Sequence, residues 1–193
     1  MDETAATPPW TRAAFAYAGV TVAALAALAR LEGPLRAFRA PHAGSLLTGR
    51  DPIQGILWGV AAGVAIAAAG QGLTRWTPWG RRLTQLLTQT LGPLHPADAV
   101  LLAALSGLGE ELVFRGLALP YLGLVGSSAL FGLAHWVPRR GLWPWALWAA
   151  AAGLVLGRLA QATGGLAAPA SAHIVINAVG LILMAGEASA DPP

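Results

Sequence analysis

Apolar residues fall into six runs along the chain, each close to the length that crosses a bilayer, and charged residues collect between the runs. The first run covers Ala13 to Leu31, the second Ile53 to Leu73. The third starts near Ala97, after Pro96, and stops before Pro120. The fourth covers Leu122 to Val137, the fifth Leu142 to Leu159, and the sixth Leu166 to Ala185, with Pro169 in its first turn, where proline is tolerated. Between the second and third runs the pattern changes. Leu83, Leu86, Leu87 and Leu91 recur at helical spacing with Gln and Thr opposite, which fits either a helix lying on the membrane surface or a half-buried connector. The prediction is an all-α polytopic membrane helix bundle of about six transmembrane helices plus a short interfacial helix.

The punctuation agrees with this reading. Residues 1–12 form a polar lead-in, and Asp2 and Glu3 do not suit a signal-peptide start, so the first run is expected to be retained. Gly33-Pro34, Pro41, Gly44 and Asp51-Pro52 mark a loop over 32–52. Trp76 and Trp79 sit where interfacial anchors belong. Gly107, Gly109, Gly126, Ser127, Ser128 and Gly132 would let helices approach closely. The chain divides into the lead-in, a part over 13–96 with two spans and the interfacial helix, a core over 97–186, and a tail over 187–193.

Composition narrows the class. Of 193 residues, 55% are hydrophobic and 11% charged, where a soluble domain carries about 25% charged residues. The net charge is +3 and the sequence pI is near 10.6. All twelve basic residues are arginine, and most stand at run ends, so the basicity belongs to membrane borders and not to nucleic-acid binding. With no cysteine there is no disulfide, thiolate metal site or cysteine nucleophile. Arginine in place of lysine, with abundant Ala and Gly, points to a bacterial source and its cytoplasmic membrane.

Three polar strings interrupt the apolar runs: Glu110-Glu111-x-x-x-Arg115, Phe131-x-x-x-His135 and His173-x-x-x-Asn177. Glu110, Glu111 and Arg115 together cost roughly 7–10 kcal/mol at mid-bilayer, and residues of this kind mark sites facing the bundle interior. Glu111 and Arg115 are one helical turn apart and can pair. Glu110 points about 100° away and is left without a local partner, as a general base would be. His135 alone reads as a helix-end histidine beside Trp136, and His173 with Asn177 alone as polar contacts between helices. Taken together, a carboxylate–histidine pair can deprotonate a water, and a His–Asn pair can donate to the oxyanion formed when that water attacks an amide.

These strings resemble the CPBP family of intramembrane endopeptidases, the Abi or CAAX-protease family, which includes the Rce1-type prenyl-protein proteases. GEELVFRG (109–116), FGLAH (131–135) and HIVIN (173–177) are complete and in the family's order, and the resemblance covers roughly residues 97–185. It implies that Glu110 and His135 activate water, that His173 and Asn177 form the oxyanion site, and that Glu111, Arg115 and Phe131 support them. It also implies a membrane-associated or lipidated protein or peptide as substrate, with sorting-tail trimming as in myxosortase-like members among the roles. No cofactor is expected, although Glu110, His135 and His173 could form a zinc site with an open position; no His-Glu-x-x-His string supports one.

Other readings stay open at this point. Gly126-Ser127-Ser128 ahead of a histidine offers a serine dyad, without a Gly-x-Ser-x-Gly elbow. A non-catalytic immunity or scaffold protein and a proton-coupled transporter are the alternatives to an enzyme. Membrane lipid and a protein or peptide substrate are the expected partners, nucleic acid is not, and oligomeric state is not legible. Arginines are nearly balanced across the membrane for six spans, and cytoplasmic termini are the expected orientation.

Overall fold

A computed structural model describes residues 7–36 and 45–190, with side chains over 7–31 and 45–186. Residues 1–6 of the lead-in, 37–44 of the first loop and 191–193 of the tail lie outside the described residues. The fold is all-α: seven α-helices and one π-helical segment, with no strand among the described residues. In order these are α1 (Pro9–Arg36), α2 (Pro52–Trp76), α3 (Pro78–Leu91), α4 (Pro96–Glu111), the π segment Leu112–Ala118, α5 (Leu119–Ala134), α6 (Trp143–Thr163) and α7 (Ala167–Ala190). Five stretches are long and apolar enough to cross a membrane, and the protein is an integral membrane protein.

The helix starts follow from the sequence. α2 begins where Asp51 accepts from the Gln54 amide at 3.0 Å and Pro52 occupies the first turn. α3 begins where Thr77 accepts from the Gly80 amide at 3.1 Å, and ends at Gly92, whose φ is 71°. α1 starts at Pro9, ahead of the expected Ala13, and runs on to Arg36 through Gly33-Pro34, beyond the expected end at Leu31. The amphipathic segment is α3; Leu83 and Leu91 are buried, but Leu87 is 37% exposed, so the leucine face is only partly covered.

The third and fourth runs form one continuous helical stretch, Pro96–Ala134, which contains a reversal. In one straight helix residues 114 and 131 would stand about 25 Å apart, yet the Phe114 and Phe131 rings pack edge-to-face at 4.9 Å. The chain folds back at Gly123 (φ 66°, ψ −178°), a conformation open only to glycine. The second leg, Leu124 to Ala134, is about 16 Å long, so it penetrates part of a bilayer and stops at His135. It is shorter than the expected span over Leu122 to Val137.

Small residues set how the helices pack. Gly55, Gly59, Gly63 and Ala67 are buried along one face of α2. A Cβ at Gly59 would collide with Ser171 Oγ and the Ala168 carbonyl oxygen, and one at Gly63 would lie 2.6 Å from the Ala172 carbonyl oxygen, so α2 and α7 touch backbone to backbone. Gly107 likewise admits Ile174 of α7, and Gly109 admits Thr21 of α1. These contacts place α7 between α2 and α4, with α1 against the far side of α4 and α6 against α5.

Candidate active site

The second half of α4 carries the carboxylates inward. Glu111 is 0% exposed and Arg115 is 2% exposed. Glu111 Oε1 accepts from Arg115 Nη1 at 2.6 Å, one turn along the chain, and from His173 Nδ1 on α7 at 2.7 Å. Arg115 also donates from Nη2 to the Gly153 carbonyl on α6 at 3.0 Å and lies 4.6 Å from the Phe131 ring centroid. One ion pair therefore joins α4, the π segment, α5, α6 and α7. Removing one member of such a buried pair costs about 3–5 kcal/mol. The π segment begins directly after Glu111, with the Leu119 amide donating to the Phe114 carbonyl; such widened turns occur frequently at functional sites.

Glu110 has a different environment. Its Oε2 is buried without a hydrogen-bond partner. It stands 3.7 Å from His135 Nε2 and 3.8 Å from His173 Nε2. The protonation of both imidazoles follows from their other nitrogen. His135 Nδ1 lies 2.8 Å from the Phe131 carbonyl oxygen, which can only accept, so Nδ1 carries a proton. Paired with Arg115, Glu111 is an acceptor too, so His173 Nδ1 also carries a proton. In their neutral forms both histidines present a lone pair on Nε2 to the Glu110 carboxylate. Three acceptors facing one point need a protic group or a cation between them.

Asn177 lies one turn beyond His173 and donates from Nδ2 to Ser106 Oγ at 2.9 Å; Ser106 donates in turn to the Ala103 carbonyl at 3.3 Å. Glu110, His135, Asn177 and Ser106 line a cavity of about 700 Å³ between α1, α2, α3, α4, α6 and α7. Phe131 stacks beside both histidines, with centroids 4.4 Å from His135 and 5.6 Å from His173, and Trp145 closes on His135 at 5.6 Å.

All seven residues singled out in the three strings thus meet in one region, around Glu110, Glu111 and the helix face below them. Among the described residues no group of three or more His, Cys, Asp or Glu stands out as able to hold a metal ion. The serine dyad has no support in the geometry. Ser127 and Ser128 donate to the Leu124 carbonyl of their own helix, Ser128 packs against Gly153 of α6, and neither lines the cavity. Sequence reasoning missed Ser106, Trp145 and Tyr17. Ser106 sits one turn before Glu110, a spacing that could have drawn attention to it; Trp145 and Tyr17 reach the site from other helices and carry no local signal.

The family model described as "Type II CAAX prenyl endopeptidase Rce1-like" matches residues 93–179, a stretch that contains every residue of the three strings. This segment is similar to the Rce1-like family. A curated relative, described as "Uncharacterized protein YpbD" from Bacillus subtilis (strain 168), is 29% identical over 132 residues, covering 64% of this chain and 66% of the relative. The chain thus spans just under two thirds of the length of that relative. No solved structure matches. α1, α2 and α3 all lie ahead of residues 93–179, and each contributes residues to the cavity wall.

Proposed function

We propose that the protein is an intramembrane endopeptidase that hydrolyses a peptide bond of a membrane-associated or lipidated protein or peptide. The observation that carries this reading is the buried, unpartnered Glu110 Oε2 facing two histidine Nε2 atoms on a cavity inside the bundle. The Rce1-like match over the same residues supports it.

The mechanism follows from the donors and acceptors. A water held between Glu110 Oε2 and His135 Nε2 loses a proton to this pair as its oxygen attacks the scissile carbonyl. The carbonyl π electrons move to oxygen. The resulting oxyanion accepts from the second Asn177 Nδ2 hydrogen, the first being given to Ser106, and from His173 Nε2 when that ring is imidazolium. When the oxyanion collapses, the C–N bond breaks and the proton held by Glu110 and His135 passes to the leaving amine. The products are a free carboxylate and a free amine.

The test is a comparison of peptide termini in membranes from cells expressing the wild-type protein or Glu110→Gln. New termini in a membrane-associated protein, present only with the wild type, are expected. Identical termini in both would favour a non-catalytic role. Cleavage by the purified protein is expected to survive a chelator; loss that zinc restores would instead make Glu110, His135 and His173 ligands.

A further inference from the structure

Ser106 lies outside the three polar strings, yet it is the residue that the Asn177 side chain reaches. The helices that carry the two are in close backbone contact beside them: a Cβ at Gly107 would lie 2.9 Å from Ile174 Cγ1 and 3.0 Å from the Ile174 amide nitrogen. Ile174 precedes Asn177 by three positions, so this approach brings Asn177 onto Ser106 across 71 positions of chain. Ser106 is buried and stands four positions before Glu110. Ser106, Glu110 and Asn177 line the same cavity. A serine hydroxyl has one proton to give. Here it goes to the Ala103 carbonyl of its own helix, 3.3 Å away. Toward Asn177 the oxygen is therefore an acceptor, and it takes a hydrogen from Nδ2 at 2.9 Å. Among the described residues this is the one hydrogen bond of the Asn177 side chain.

We infer that Ser106 is a positioning residue for Asn177: by accepting one Nδ2 hydrogen it fixes which way the amide faces and leaves the second for the oxyanion. The terminal torsion of an asparagine is broad and roughly two-fold, so an unheld side chain presents either its NH2 group or its carbonyl to a given point. An acceptor at Ser106 favours only the first. The reverse orientation sets Oδ1 against the Ser106 lone pairs and turns an acceptor, in place of a donor, toward the developing negative charge. A donor already in place costs no reorganisation as that charge develops. The serine thus acts on turnover, through Asn177, and not on substrate affinity. This inference rests on the endopeptidase reading.

The test is a double-mutant cycle on kcat, with the full-length protein in lipid nanodiscs and a synthetic peptide spanning the cleavage site found in the membrane comparison. Ser106→Ala removes the oxygen and adds no bulk. Its kcat is expected to fall about 3–10-fold, the value of one neutral hydrogen bond, with KM and the unfolding temperature nearly unchanged. Ser106→Ala combined with Asn177→Ala is expected to match Asn177→Ala alone, since a serine that works through the amide then has nothing to position. Should Ser106→Ala not fold, Ser106→Cys, close in shape and only a weak acceptor, carries the same cycle. A serine that merely packs α4 against α7 would lower kcat by the same factor in both backgrounds. That result, or a wild-type kcat in Ser106→Ala beside an inactive Glu110→Gln, would overturn the inference and leave the endopeptidase reading in place. Cleavage by Glu110→Gln at the wild-type rate would sink that reading and this inference with it.

Discussion

Adjacent glutamates on one helix have opposite fates here because one is held by two charged or polar partners and the other lines a cavity. Glu111 pairs with both Arg115 and His173 through Oε1, while its Oε2 has no hydrogen-bond partner, so Glu111→Gln leaves Arg115 buried without its counter-ion. We expect that variant to lose about 3–5 kcal/mol of stability, read as a lower unfolding temperature, with activity falling as the fold loosens. Asn177 makes a smaller structural contribution, one bond to Ser106. Asn177→Ala is expected to leave the unfolding temperature nearly unchanged and to lower kcat about 10²–10³-fold, the usual loss for an oxyanion donor; an unchanged kcat would remove Asn177 from the oxyanion site. The pairing of Glu111 with Arg115, and the shared face of His173 and Asn177, were legible because residues four apart meet on a helix. The bond from His173 to Glu111 was not, since it spans 62 positions and no periodicity encodes it. Tyr17 and Trp145 were hidden for the same reason.

At the level of helices, hydrophobic run length located nearly all the long elements, with ends shifted by a few residues. Two features escaped it. The π segment has ordinary apolar composition, and its widened turn shows only in the backbone bonds. The reversal at Gly123 reads in the sequence as a gap between two spans; the second leg ends at His135, whose Nε2 stands 3.7 Å from Glu110. The α2 stripe Gly55-Gly59-Gly63 is a small-residue repeat visible in the sequence, and its partner, α7, is what only the fold reveals. This predicts a contrast between glycines. Gly59→Leu drives a side chain into Ser171 and the Ala168 carbonyl and should destabilise by about 1–3 kcal/mol or more. Gly19→Leu, where nothing lies within 4 Å of the new Cβ, should stay within about 0.5 kcal/mol. Equal unfolding temperatures for the two variants would show that α2 and α7 do not touch as described.

Across the whole molecule, the contacts determine which helix ends share a side. Trp10 and Ala13, near the start of α1, pack with Leu91 of α3 and Met184 near the end of α7. On the opposite side, the Arg50 amide donates to the Thr163 carbonyl at 3.1 Å and the Leu166 amide to the Leu46 carbonyl at 2.9 Å. Both ends of the described chain therefore lie on one side of the membrane, together with α3. Reporter fusions at the two termini are expected to give the same sidedness; opposite readings would require a different number of crossings. Which side that is, the nearly even balance of arginines does not decide.

Everything functional converges on whether Glu110 takes a proton from water. The most direct measurement is the cleavage rate of the purified Glu110→Gln protein on its peptide substrate, beside its unfolding temperature. Glutamine preserves the size of the side chain and cannot act as the base. The expected result is a wild-type unfolding temperature with a rate lower by about 10²–10⁴-fold or beyond detection. A folded Glu110→Gln protein that cleaves within a few-fold of wild type would contradict the assignment of Glu110 as the base.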